Sequence, residues 1–245
     1  DIDSIHCIYS IDIKLFFHWN DDTIIGKKKL SINELKELKT YPDLFITNAN
    51  DLEQYFEGCK IADSEIGRVK QTVAYRGKCF IVNMDLSYFP FDAQNLQICL
   101  RSHKLPIELI ELRYYEDESA IDTHIEHEWK IYGFCAKKYK TLATASTTAK
   151  VYSSLHIVTL IQRQSGWFVN NVMVVSFFLT LVNWTAFAFE TTEIKERMDV
   201  CVLTMLASIS NKFVVGDRLP KIQYRTLLDQ YLDVCFASQL FTILS

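Results

Sequence analysis

The 245 residues contain no phosphate-binding glycine loop, no nucleophile elbow and no paired metal-binding helix motif. Each of those motifs builds a specific piece of catalytic machinery, so their absence argues against an enzyme. The seven cysteines, Cys7, Cys59, Cys79, Cys99, Cys135, Cys201 and Cys235, are an odd number with no CxxC spacing. That speaks against a zinc site and against a dense disulfide scaffold. An excess of positive charge is lacking too. Lys and Arg number 26 against 30 Asp and Glu, a net charge of −4, which is not basic enough to imply nucleic acid. No internal repeat or low-complexity tract is present. No signal peptide is visible either: the sequence opens on Asp1-Ile2-Asp3 and stops at Ser245 within an apolar stretch, so both ends read as cut.

What is present is 49% hydrophobic residues, unevenly spread. Up to about residue 165 the chain reads as a soluble, aromatic-rich domain with dispersed charge. Residues 167–189 then form an uncharged run of 23, and another apolar stretch begins at Leu227. A run of that length matches the roughly 20 residues needed to cross a bilayer core; the alternative is a buried helix of a soluble protein. Within the first part, residues 11–19 partly alternate and stop at the polar Asn20-Asp21-Asp22 turn. Residues 31–39 suggest a short helix, with Ser31 and Glu34 in capping-box spacing. Further strands are expected at 68–85, 95–100, 128–134 and 152–161, a pattern that predicts an all-β sandwich. Residues 141–150 lack apolar periodicity and read as an exposed, mobile hairpin tip. Among polar groups, His124 and His127 beside Glu126 and Glu128 are candidate metal ligands without a clear third partner, and a solvated loop is the favoured reading.

The most distinctive segment is Asp85-Leu86-Ser87-Tyr88-Phe89-Pro90-Phe91-Asp92. Pro90 fixes its own φ and biases Phe89 towards extended geometry, so the turn is rigid. It leaves Phe89 and Phe91 as apolar fingers beside one carboxylate, Asp92, set to press on the apolar C-terminal part. This motif resembles the Cys-loop of pentameric ligand-gated ion channels. The resemblance runs on through Trp19-Asn20-Asp21 at a strand end, Pro42-Asp43-Leu44-Phe45, Arg163 just before the first span, and Leu219-Pro220-Lys221 between later spans. Weak singly, these signals are strong together in this order and spacing. One departure stands out: Val82 and Leu96 hold the places where the family usually carries its two loop-closing cysteines. Cys79 and Cys99 lie three residues outside them, which leaves open a displaced bridge or a pair of free thiols.

Between residues 196 and 217, alternating steps of three and four put Glu196, Asp199, Leu203, Leu206, Ser210, Phe213 and Asp217 on one helical face. Around a pore this gives acidic rings near the mouths and a hydrophobic constriction at Leu203 and Leu206. The same stretch holds Asn211 and Lys212, and charge within a span is costly unless it faces water or a partner. An amphipathic surface helix is the alternative. Anion-conducting members of the resembled family usually have Pro-Ala before the basic residue at the cytoplasmic mouth. Here Lys195-Glu196 precedes Arg197, similar to the cation-selective pattern, and Leu206 matches the central pore leucine. Asp199 departs from the small or uncharged residues usual at that place. The charges of residues 190–197 are balanced and give no orientation; the resemblance alone puts that loop in the cytoplasm.

The resemblance further implies a buried ion pair between Asp92 and Arg163, with Phe89, Pro90 and Phe91 meeting Pro220 to convert sandwich movement into pore movement. Agonists in this family lodge between subunits against an aromatic cage. Here Lys14 and Thr47 occupy two usual aromatic places and His103 a third, while Tyr139 and Tyr152 match the aromatic pair of the capping loop. So depleted a cage disfavours a quaternary-ammonium agonist; edge packing of the two tyrosines is the alternative.

The expected architecture is a β-sandwich extracellular ligand-binding domain, 1–164, followed by an α-helical transmembrane pore domain, 165–245. The spans fall at about 167–189, 197–215 and 225–245, three of the family's usual four. The expected function is that of a plasma-membrane subunit of a pentameric, ligand-gated, cation-selective channel. Its expected partners are four further subunits (in a homo- or hetero-pentamer), the lipid bilayer, an unknown small-molecule agonist and permeant cations, with no cofactor. The alternatives are a truncated, non-conducting subunit and a membrane-anchored β-sandwich that binds a ligand or partner.

Overall fold

The computed structural model describes residues 2–115, 128–141, 150–190, 192–217, 219 and 221–244. Its first part is two four-stranded antiparallel sheets. The strands are β1 (Ile2–Asp3), β2 (Ile8–Asn20), β3 (Leu44–Ile46), β4 (Ala49–Asp63), β5 (Arg68–Phe80), β6 (Ala93–Ser102), β7 (Trp129–Lys140) and β8 (Ser153–Arg163). One sheet has the order β1-β2-β5-β4 and the other β3-β6-β8-β7. Period-2 side-chain alternation turns one face of each sheet inward. Tyr9 and Leu15 of the first sheet thus meet Leu96, Leu100, Leu155 and Ile161 of the second in a shared core. The result is a β-sandwich.

The capping box at Ser31 is formed: its hydroxyl accepts from Glu34 N at 3.2 Å, and Glu34 Oε2 accepts from Ser31 N at 2.8 Å. The helix, α1 (Ile32–Glu37), is shorter than the expected 31–39 because the backbone turns extended at Leu38. The strand expected at 68–85 likewise stops at Phe80. Phe80 faces Ile8, the first residue of β2, and beyond it Asn83 takes a left-handed φ of +58°. The expected hairpin tip, apart from Thr141 and Lys150, and the His124–His127 group, apart from Glu128, lie outside the described residues.

After β8 the chain is helical. The helices are α2 (Gly166–Ala188), α3 (Ile194–Gly216) and α4 (Leu227–Leu244). Two of them, α2 and α3, are long and apolar enough to cross a membrane. At about 1.5 Å per residue their 23 residues span about 34 Å, against a hydrocarbon core of about 30 Å. The third, α4, has 18 residues and is not among them; it carries Asp229 and Asp233.

Polar side chains hold the three helices together. In α2 a π-helical turn at Val169–Met173 widens the ladder, and side chains of the other helices hydrogen-bond to carbonyls of this turn. Asn211 Nδ2 of α3 donates to Val172 O at 3.2 Å, and Tyr231 Oη of α4 donates to Met173 O at 3.0 Å. Deeper in, Thr204 Oγ1 donates to Asn183 Oδ1 at 2.9 Å and Gln239 Nε2 to Ser208 Oγ at 2.9 Å. Lipid tails are as apolar as leucine, so packing and such hydrogen bonds are what join helices in a bilayer.

Candidate functional site

The segment from Asp85 to Asp92 is the seam between sandwich and helices. Phe89 is fully buried, and its ring meets Phe168 of α2 edge-on with centroids 4.6 Å apart. Around them cluster Leu86, Val172, Val215, Leu228 and Leu232, so all three helices contribute. The loop's backbone carries the same contact. Ser87 O accepts from Leu227 N at 2.9 Å and Phe89 O from Leu228 N at 3.1 Å. These are first-turn N–H groups of α4, which have no partner inside their own helix. The loop thus satisfies a helix end.

Phe91 departs from the expectation of paired apolar fingers. It is 44% exposed and only Phe89 is swallowed by the helical cluster. Phe91 N instead donates to Tyr88 O at 2.8 Å within the turn. Pro220, the expected target of the loop, lies outside the described residues. Its neighbours Leu219 and Ile222 pack against the Phe89 cluster, and Tyr224 Oη accepts from Leu86 N at 2.9 Å.

Asp92 and Arg163 form a buried ion pair. Arg163 Nε donates to Asp92 Oδ1 at 2.9 Å, with side chains 5% and 1% exposed. Arg163 also donates to Asp92 Oδ2 at 3.4 Å and to Ser4 Oγ at 3.2 Å. Its guanidinium carbon lies 4.1 Å from the Trp129 ring centre and 5.0 Å from that of Phe89. One arginine therefore ties the β1–β2 turn, the loop, β7 and the strand that leads into α2.

Of the two readings left open for Cys79 and Cys99, the structure has the free thiols and not the displaced bridge. Cys79 and Cys99 are buried and free. The Cys79 thiol is pushed up to about 11 by burial. Gln94, 3% exposed, makes the closure instead. Its Nε2 donates to Asp85 O at 2.6 Å and to Asp92 Oδ2 at 2.8 Å, while its Oε1 accepts from Asp85 N at 3.2 Å. Reasoning from sequence missed Gln94. The signal was a buried amide two residues from the key carboxylate, on an inward strand position.

The seven residues Glu196, Asp199, Leu203, Leu206, Ser210, Phe213 and Asp217 are all exposed, with Leu203 at 66%, Leu206 at 61% and Phe213 at 70%. Cys201, Thr204 and Val215 fill the opposite face against α2 and α4. Lys212, which made this stretch an awkward span, pairs with Asp233 of α4 at 2.7 Å, and Arg225 joins at 3.3 Å.

At the far end of the β3-β6-β8-β7 sheet, register gathers the three candidate ligand residues. Arg101 pairs with Ser154, so two places further on His103 faces Tyr152. Tyr139 pairs with Ser154 across β7–β8, and its ring lies 4.3 Å from that of His156. His103 packs edge-on against Phe45 at 5.6 Å. Lys14 sits on the other sheet over the rings of Phe16 and Phe56 at 5.5 and 5.8 Å. Thr47 donates to Cys99 O from both its amide, at 2.8 Å, and its hydroxyl, at 3.3 Å.

A β-sandwich whose Phe89 loop packs into a bundle containing two membrane-length helices is the class of molecule these features define. No protein-family model matches the chain. It is 22% identical over 245 residues to the gamma-aminobutyric acid receptor subunit gamma-3 of Mus musculus, covering 96% of this chain and 51% of that protein. The gamma-aminobutyric acid receptor subunit beta of Lymnaea stagnalis is 23% identical over 249 residues, 93% of this chain and 49% of that subunit. The human gamma-3 subunit gives 21% over 245 residues. The chain is thus a distant relative of receptor subunits along nearly all its length, and it spans about half the length of these curated relatives.

Proposed function

We propose that this chain is a subunit of a pentameric ligand-gated ion channel of the Cys-loop class and carries no catalytic activity. Residues 1–164 form the extracellular ligand-binding domain and 165–245 the membrane domain, and Pro220 is assigned to coupling by the family resemblance alone. The observation that carries this reading is the Phe89 loop, buried among all three helices and pinned to the strand entering α2 by Asp92–Arg163. Any movement of the sandwich is delivered there to the bundle. The exposed face of α3 supports the second half: it is left for water and for the same face of neighbouring subunits. Glu196 and Asp199 then ring one mouth with carboxylates, and Leu203 and Leu206 form the constriction. We assign cation selectivity on that ring.

The channel opens when an agonist binds one state better than the other. Tyr139, Tyr152 and His103 at the sheet end are the assigned agonist contacts. The decisive experiment is an ion-substitution recording of Glu196→Ala in a conducting, full-length receptor. The expected result is a shift of reversal potential towards that of anions; an unchanged reversal potential would remove Glu196 from the selectivity ring.

A further inference from the structure

Helix α2 carries a residue more than its packing needs. Its buried side is Phe168, Val172, Ser176, Thr180 and Asn183. An α-helix turns about 100° per residue, so a four-residue step overshoots a full turn by about 40°. In an unbroken α-helix Ser176, Thr180 and Asn183 would stand about 80°, 120° and 60° round from Phe168. The π-turn at Val169–Met173 corrects this drift. Val174 N donates to Val169 O, five residues back, whereas Val169 N at the entry reaches Ser165 O, four back. One wide turn absorbs one residue, about 100° of rotation, and brings all three side chains within about 40° of Phe168. Such single-turn widenings are rare in helices and recur at functional sites.

Each end of the aligned row has its own partner. After the turn, Ser176 Oγ accepts from Asn211 Nδ2 at 2.8 Å and Asn183 Oδ1 from Thr204 Oγ1 at 2.9 Å, which fixes that part of α2 to α3. Before it, Phe168 meets Phe89 of the loop. The turn itself is gripped by both other helices, through the Asn211 bond to Val172 O and the Tyr231 bond to Met173 O. The Asn211 amide therefore bridges the wide turn and the regular turn that follows.

We propose that the π-turn is a one-residue register switch in α2. In its wide state, held by Asn211 and Tyr231, Phe168 is aimed at Phe89. When those donors withdraw, the turn closes to α-helical spacing, and Phe168 swings about 100° out of the row and off the loop. Asn211 and Tyr231 are positioning residues that act on the loop through the backbone of α2. The turn is a two-state element that α3 and the loop both bias, which is the physical requirement for coupling between them. Its consequence for gating rests on the reading of the Phe89 loop as the coupling element: a displacement of α3 withdraws Asn211 and is felt at Phe89.

The test is fluorine NMR of the full chain in lipid nanodiscs, with 4-fluorophenylalanine in place of Phe168. Phe89→Leu marks where the resonance lies without the loop's ring. Asn211→Leu is expected to move the signal from its native position towards that mark, and Tyr231→Phe to move it the same way. Deleting Asn170, an exposed residue of the turn, removes the spare residue and should leave the signal in its native position. In the deleted chain Asn211→Leu should no longer move it, because no wide turn remains to close. A native signal in Asn211→Leu overturns the inference; where that variant fails to fold, Tyr231→Phe, which keeps its ring, decides in its place. An equal shift with and without Asn170 also overturns it, since Asn211 would then be an ordinary packing residue. So does a deleted chain that fails to fold or loses the native signal, because a spare residue is dispensable. No readout uses current, so a failed switch and a failed ion-substitution recording remain separate results.

Discussion

Replacing Asp92 by Ala removes one member of an ion pair whose side chains are 1% and 5% exposed. The guanidinium of Arg163 would keep Ser4 Oγ and the faces of Trp129 and Phe89, none of which is an anion. Leaving a buried charge without its partner costs about 3–5 kcal/mol, two to three and a half powers of ten in the folding equilibrium. Removing both charges is a different perturbation. In Asp92→Leu/Arg163→Met no uncompensated charge remains, and burying apolar side chains in place of an ion pair is often neutral. The double variant is therefore expected to lose less than the sum of its single variants by more than 1 kcal/mol, the signature of direct coupling. Denaturant unfolding of the full chain in detergent, followed by tryptophan fluorescence, reports this directly because Trp129 stacks on Arg163. Additive single losses, or an Asp92→Ala cost below about 1 kcal/mol as for an exposed pair, would refute the reasoning.

Phe89→Ala opens a hole among three helices and should cost about 3–5 kcal/mol. The same unfolding assay should place it among the largest single losses outside the ion pair, and a cost under 1 kcal/mol would show that the loop does not press on the bundle. Burial, and secondarily Arg101, holds the His156 imidazole below the ordinary 6.5. The unfolded chain therefore takes up a proton more readily than the folded one, so stability falls as pH drops below about 6.5 and is recovered above it. His156→Gln should flatten that dependence between pH 5 and 7, and an unchanged slope would assign it to other groups. Brief maleimide treatment at pH 8 should label exposed Cys135 and spare buried Cys79 and Cys99. A Cys79–Cys99 cross-linked peptide in a non-reduced digest would overturn the free-thiol assignment.

Much of this molecule follows from patterns a few residues long. Alternation over 11–19, the Ser31–Glu34 spacing and the uncharged run at 167–189 depend only on local geometry. They yielded β2, the capping box of α1 and helix α2. The exposed face of α3 was legible for the same reason, because 3.6 residues per turn fixes which side chains share a side. Boundaries were less legible: β5 ends at Phe80, opposite Ile8, where its partner strand begins after the left-handed Cys7, a backbone choice no periodicity announces. The partnership of Asp92 with Arg163 came from resemblance, and the structure supplied its 2.9 Å geometry.

Only tertiary structure decided what closes and receives the loop. Sequence spacing left Cys79 and Cys99 as a bridge or as thiols. Packing buries them without a bond and gives the closure to Gln94, whose amide bonds both Asp85 and Asp92. The two phenylalanines looked alike in the linear chain, yet Phe89 is enclosed and Phe91 is not, because only one side of the turn meets the helices. The first turn of α4 completes its hydrogen bonds on Ser87 and Phe89, a pairing across some 140 residues. Local propensity determines elements and their faces; which elements satisfy one another's unpaired groups is settled only once the chain is folded.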